Sequence, residues 1–420
     1  RALQVEYEEL PFVLDVQKAM EPGAPQLHEA YPNNILKHTD MKKGDYQAAI
    51  REPGLIKVEG WYETPTVQHC HIENHGCFAY EENGRITVVS STQIPHIIRR
   101  IVGQALGRPW ADIEIIKPYI GGGFGNKQDA LYEPLCAWCS TQVHGRCVRV
   151  DCSREETFVS NRVRHAMRFH IVSWLRKDGQ LVARKVECFS NQGAYASHGH
   201  SICAKALGSF AQIYPCDHME CDGWTVFTNR PAAGAMRGYG MPQASFADEA
   251  NIDECAAAVG MDPLEYRMKF IMPKDYHDAF SGNTNYFDSF RACLEKGRDA
   301  MDYDRRKAEF AKDTGSVRRG IGVLLVQHRR VSHLTGDGLQ PDAAESGRHR
   351  YHAVWRDGDR SGRGHRLRPD DRKGRGPQEL QGRSCGVLSG YGHHPHRLRR
   401  LRQPPDLHGG LRHRPDRAAP

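Results

Sequence analysis

Apolar periodicity runs along this chain as far as about Val323 and then stops. Residues 321–420 hold one Ile, no Phe, ten His, 19 Arg and a single Lys. Such a segment buries too little apolar surface to offset the entropy of an ordered chain, so residues 324–420 read as a disordered, protease-sensitive tail with no packed core. Any folded body must be built from the residues before that point. The same split accounts for the net charge of +7. Residues 321–420 carry 20 basic and 10 acidic residues, or +10, and residues 1–320 carry 38 and 41, or −3. A basic nucleic-acid-binding protein is therefore an alternative only through the tail. RNA-binding segments normally mix Lys and aromatic residues with Arg, and this tail does not.

Within the body, Leu3, Val5 and Tyr7 alternate as in a half-buried strand, and Pro11, Pro22 and Pro25 then punctuate a loop-rich stretch. Residues 85–91 read as a buried strand. Pro95 opens a helix with Ile97, Ile98, Ile101, Val102 and Leu106 on one face, and Gly107 stops it. A strand over 113–119 runs into a glycine-rich loop at 121–127, followed by a helix with Leu131, Leu135, Cys136 and Cys139 at helical spacing. Strands are expected at 147–152, 167–175 and 181–190, and helices at 246–259 and 262–270. Strand pairs mix with helices without regular alternation, so the fold class is α+β. Thirteen scattered Cys, an odd number, fit a reducing cytoplasm better than a secreted setting. No apolar run approaches the roughly 20 residues of a membrane span. The chain opens on Arg1 rather than Met, so a preceding segment is expected.

Three places carry chemistry. The run GGGFGNK at 121–127, after a strand and before a helix, suits backbone N–H groups approaching an anionic ligand. It is not a phosphate-binding P-loop, because Asn126 precedes Lys127 and Gln128 follows it. A tight turn explains it equally well. A second loop, 231–243, flanks Arg237 with small residues, and a surface turn with a solvated Arg is its plainer reading. His69, Cys70, His71, His75 and Cys77 lie within nine residues. A zinc-binding interaction domain is the sharp reading of that cluster, but the spacing matches no standard ligand pattern, and ordinary core or surface residues fit better.

Taken together, the two glycine loops, in this order and about 110 residues apart, resemble the xanthine dehydrogenase/aldehyde oxidase family, with the likeness nearest to bacterial molybdenum-binding subunits. The matching stretches are SSTQIPHIIRR, GGGFGNKQD at 121–129, SNQGAYASHGHSI at 190–202, AGAMRGYGMPQ at 233–243, DPLEYR at 262–267 and RRGIGV at 318–323. The resemblance implies that residues 1–27 are the end of a hammerhead-type α/β domain. It implies that residues 28–323 are a first molybdopterin-binding domain with an incomplete cofactor site. Past that point the family continues with a motif like GATEIGQGADTVF, whereas this chain has WRDGDRSGRGHRL at 355–367. Back-translating 355–370 and reading from the second base permits the family motif, so residues 324–420 are expected to be a frame-shifted tail.

The resemblance also implies an activity: oxidative hydroxylation of a purine (xanthine or hypoxanthine) or related N-heterocycle at an electron-poor carbon, or an aldehyde in an aldehyde-oxidase-type enzyme. The cofactor would be molybdenum on molybdopterin, as such or as its cytosine dinucleotide. Gln93, Gly122, Gly123, Phe124, Gly125 and Arg237 would hold it, with Gln93, Phe124 and Arg237 near the metal without ligating it. Gln128 stands where mammalian-type enzymes carry a substrate-binding Glu. Lys205 replaces a substrate-polarising Arg, and Tyr239 would line the substrate wall. The family's general-base Glu belongs to the region that is out of frame, so no catalytic residue is assigned and the chain is expected to be inactive. Iron–sulfur clusters and FAD would reside on partner subunits.

Overall fold

The computed structural model describes residues 6–278, 283–328 and 350–357, all in the larger of two compact units, Arg1–Leu388. Two sheets organise it. The larger is five-stranded in the order β1 (Ile35–Lys43), β9 (His218–Phe227), β8 (Leu181–Gly193), β7 (Met167–Leu175), β2 (Ile56–Thr64). Only β8 and β9 run parallel. Side chains alternate across it. One face carries Phe169, Ile171, Val186, Cys188, Met219 and Cys221 into the main core, against α5 (Gly199–Leu207) and α6 (Met241–Ala258). The opposite face stacks His38 on Trp224, Trp224 on Phe189, and Phe189 and His170 on Trp61.

The smaller sheet has the order β5 (Ile113–Ile116), β4 (Arg85–Ser90), β3 (Gly76–Glu82), β6 (Val148–Asp151). Its inner face packs Ala79, Ile86, Val88 and Ile113 against Ile98 and Val102 of α2 (Pro95–Leu106) and Cys136 of α3 (Glu133–Gln142). Helix α2 ends where Gly107 turns left-handed at φ +64°. The short helix α1 (Tyr46–Ala49) packs Tyr46 against Val182 and Ala183 of β8, and α4 (Arg154–Ser160) opens with a Ser153/Glu156 capping box. Helix α7 (Pro263–Phe270) is capped by Asp262, whose carboxylate accepts from the Leu264 and Glu265 amides. A two-residue pairing of β10 (His277–Asp278) with β11 (Asn283–Thr284) leads to α8 (Ser289–Met301) and α9 (Tyr303–Phe310).

The α+β reading holds, and so do most of the expected elements. Four details differ. Residues 6–15 form no strand and Tyr7 is almost fully exposed, because no neighbouring strand pairs with this segment; Leu3 and Val5 lie outside the described residues. Helix α3 buries Cys136, Ala137 and Ser140 and exposes Leu135, so of the expected Leu131/Leu135/Cys136/Cys139 stripe only Cys136 is fully inside. Helix α6 begins at Met241, directly out of the second loop, and not at 246. Strand β12 (Ile321–His328) crosses the expected body–tail boundary, with Val323 and Leu325 buried in the main core, and pairs antiparallel with β13 (Arg350–Asp357). Leu324, Leu325 and Val326 carry the apolar pattern a few residues past Val323, which is how the strand reaches the core there. The rest of the expected tail lies outside the described residues.

Candidate functional site

Five connections between elements meet where the two sheets adjoin. The β2–β3 connection carries His69–His75, and the β5–α3 connection carries the loop 121–127. The α4–β7 connection carries Arg162–His165, the β8–α5 connection carries Ser197 and His198, and the β9–α6 connection carries the loop 231–240.

The two glycine loops touch. The Arg237 amide donates to the Phe124 carbonyl at 2.8 Å. Gly125, at φ +106°, sits so close that a Cβ there would lie 2.6 Å from the Ala235 carbonyl oxygen. Only glycine serves at that point. At the centre of each loop a bulky residue takes the left-handed region, Phe124 at φ +53° and Tyr239 at φ +52°. Backbone conformations of that kind concentrate at binding sites, where the surroundings over-determine them.

Gln93 joins the first loop from the start of α2. Its side-chain oxygen accepts from the Gly125 amide at 2.9 Å, and its backbone N–H donates to the Lys127 carbonyl at 2.8 Å. Gln128 is half-buried and its amide closes a turn onto Gly125. Lys205 and Tyr239 come together, the ammonium 5.7 Å from the ring centroid, and the Tyr239 hydroxyl lies 2.9 Å from His198 Nδ1. Burial pushes the Tyr239 phenol up to about 12, so it stays protonated at neutral pH. Arg237 is exposed, with no ion pair among the described residues. Gln93, Gly122–Gly125 and Arg237 thus gather at one junction, with Lys205 and Tyr239 on its α5 side.

The Lys127 side chain is fully buried, 2.6 Å from the Glu73 carboxylate and 2.7 Å from Ser91 Oγ. The helix expected directly after the loop starts six residues past it, at Glu133, so the loop does not open onto a helix N-terminus.

Sequence reasoning missed what holds the loops. His69 Nε2 lies 2.8 Å from the Ala235 carbonyl, so the ring donates to the second loop. His71 Nδ1 donates to the Glu73 carbonyl, and its Nε2 accepts from Asn126 of the first loop at 3.1 Å. The Glu73 carboxylate accepts from the Gly121 amide at 2.7 Å and from Lys127. Asp129 accepts from Arg162 at 3.0 Å and from Ser197 at 2.9 Å, tying the first loop to the β8–α5 connection. Gln192 reaches the Ala233 carbonyl at 2.7 Å and His165 at 3.2 Å. The spacing of His69, His71 and Glu73 gave no usable signal, because the chain turns left-handed at Cys70 (φ +51°) and bends at Ile72 and Glu73, so strand alternation does not apply. The zinc reading of His69–Cys77 fails: each His is spent on a separate partner, Cys70 is exposed, and no group of three or more His, Cys, Asp or Glu residues suited to a metal occurs among the described residues. Burial lowers His69 and His75 to about 4, so both are neutral donors and acceptors at pH 7.

A second concentration of charge lies beneath α6, beside a small cleft lined by Ser209, Asp248, Glu249 and Gln327. Its carboxylates are already matched. Asp248 pairs with Arg184 at 2.7 Å, and Glu249 accepts from Arg267 at 2.8 Å and from Tyr214 at 2.7 Å. That arrangement ties α6 to β8 and α7.

Residues 27–271 match the molybdopterin cofactor-binding domain family. The chain is 42% identical over 327 residues to the putative xanthine dehydrogenase molybdenum-binding subunit of Escherichia coli K12, covering 78% of this chain and 43% of that protein. It is 36% identical over 268 residues to the nicotinate dehydrogenase large molybdopterin subunit of Eubacterium barkeri, covering 64% and 62%. Among solved structures, the aldehyde oxidoreductase of Desulfovibrio desulfuricans superposes with a TM-score of 0.71 at 25% identity, over 76% of this chain and 35% of that one. Quinoline 2-oxidoreductase from Pseudomonas putida 86 gives 0.68 at 25% identity, over 77% and 42%. The chain thus spans less than half the length of the Escherichia coli relative. No helix among the described residues is long and apolar enough to cross a membrane. The matched segment contains both glycine loops and every residue that joins them, and this chain belongs to the molybdopterin cofactor-binding domain family.

Proposed function

We propose that this chain is the molybdopterin-holding part of a molybdenum hydroxylase that oxidises an electron-poor carbon of a purine or related N-heterocycle. The observation that carries this reading is the direct contact of the two glycine loops at Gly125 and Ala235, with Gln93 bonded into the first and the Arg237 guanidinium exposed from the second. The residues suit an anionic, flat cofactor. The loops present backbone with little side chain, Arg237 offers a guanidinium unspent among the described residues, and Gln93 uses only its oxygen on Gly125. Gln93, Gly122, Gly123, Phe124, Gly125 and Arg237 would hold the group. When bound, it supplies a two-electron redox centre that adds oxygen from water to the substrate carbon.

The chain's own residues supply position. Tyr239, neutral and braced by His198, would donate its hydroxyl or ring to one wall of the substrate space, and Lys205 beside it would add positive charge. Gln128 would contribute an uncharged amide. An N-heterocycle is favoured over an aldehyde because most of the nearer relatives are named as xanthine, hypoxanthine or nicotinate enzymes. Iron–sulfur and FAD partner subunits and a cytoplasmic setting belong to the same proposal. All twelve described cysteines are free, which agrees with a reducing environment.

The same reading holds that residues 324–420 are out of frame, so that the general base and the rest of the cofactor's seat are missing. General-base catalysis alone is typically worth about 10²–10⁴ in rate. The test is to express the chain, and a version with one base deleted near codon 323, in a host that makes molybdopterin. Molybdenum-dependent xanthine or hypoxanthine hydroxylation is expected only from the second, with partner subunits supplied. Turnover by the 420-residue chain itself would refute the reading.

A further inference from the structure

The β2–β3 connection makes bonds to both glycine loops within five residues. His69 reaches the second loop at the Ala235 carbonyl. His71 reaches the first at Asn126, and Glu73 reaches it at Gly121 and Lys127. The Glu73 amide also donates to the Gly121 carbonyl at 3.2 Å, so the segment pairs with the first loop through backbone as well as side chain. His69 and His71 are buried, and Lys127 is fully enclosed. Buried polar contacts of this kind hold their geometry because breaking one strands a group without a partner. The loops' direct bond to each other is the Arg237–Phe124 backbone hydrogen bond. Gln93, Asp129 and Gln192 tie the loops to other elements, whereas the anchors at Ala235, Gly121 and Asn126 join both loops to one short segment.

We propose that His69–Glu73 is a clasp that sets the separation of the two loops, with His69 and Glu73 as positioning residues for whatever the loops hold. This rests on the reading that the loops hold the cofactor, but the clasp itself can be tested without it. His69 acts by donating from Nε2, a proton that a Gln amide can also supply at similar reach. Glu73 acts through charge on Lys127 and through acceptance from Gly121, and a Gln keeps only the acceptance. The two residues touch different loops, so each variant has its own signature.

The experiment is amide hydrogen exchange on the full 420-residue chain, comparing wild type with His69→Leu, His69→Gln and Glu73→Gln. Amides of Phe169–Ser173 in β7 serve as the internal reference. His69→Leu should speed exchange across 233–240 at least tenfold and spread to 121–127, and His69→Gln should restore rates to within about threefold of wild type. Glu73→Gln should act first on 121–127. In all three variants the β7 amides should stay protected. Unchanged loop exchange in His69→Leu, absence of rescue by Gln, or loosening of β7 in step with the loops would overturn the clasp. Molybdenum retention by the same variants in the frame-restored chain then tests the cofactor reading separately: loops that loosen with no loss of metal would count against that reading and leave the clasp standing.

Discussion

Gly125 marks the closest approach of the two loops, and its φ of +106° lies outside the range that residues with a Cβ adopt easily. Adding one methyl would both strain the backbone and press on the Ala235 carbonyl. Gly125→Ala should therefore lower unfolding free energy by about 2–4 kcal/mol, measured by urea denaturation. A change within experimental error would mean that the loops are not packed as described. Glu73 offers a sharper test because it involves charge. Glu73→Gln leaves the Lys127 ammonium enclosed without a counter-ion, at a cost of about 2–3 kcal/mol; the lower part of the range applies because the Glu73 carboxylate is a third exposed. Burial already pulls Lys127 below its usual value. In the variant its folded pKa falls further below the unfolded one, so deprotonation relieves the penalty as pH rises. The stability gap between wild type and variant should narrow from pH 7 to pH 10. A constant gap would contradict the role given to that pair.

The connections also explain how this domain should respond to acid. His69 and His75, in the β2–β3 connection, and His165, just before β7, are held near 4 by burial, against 6.5 for an unburied ring. Their folded values are depressed, so the unfolded chain binds protons between pH 6.5 and 4 while the folded chain does not. Their neutral burial is fully compatible with folding above 6.5 and is penalised as pH falls toward 4, by up to the order of 3 kcal/mol each. These rings should take up about three protons on unfolding near pH 5, against about one released by Glu249, which burial pushes up to about 7; the net uptake is measurable from the pH dependence of denaturant midpoints. Uptake near zero there would show that these rings are not buried in the neutral form. Regular elements with a strong period, such as α2 or β7, were legible because one face faces a core. The site was only half legible. Its glycines and Gln93 announced themselves as loops and motifs. The residues that hold them did not, since a buried His that donates to a carbonyl and a buried Lys paired with Glu leave no periodic trace. The partner of Lys127 was hidden for the same reason: only the fold brings Glu73 from 54 residues away.

At the scale of the whole molecule, the larger sheet and its helices form one core, the smaller sheet with α2 and α3 another, and the loops meet between them. The composition changes near Val323, yet β12 carries apolar residues past that point into the main core. A chain covering 43% of its Escherichia coli relative can hold only part of what that relative holds. If the two loops are one cofactor seat, the molybdenum content of the frame-restored chain, isolated from a molybdopterin-producing host, should depend on both Gly125 and Arg237, read beside Gly125→Ala and Arg237→Ala variants. Stoichiometric metal in the restored chain, with most of it lost from both variants, is the expected result. Equal metal in all three, or none in the restored chain, would contradict the claim.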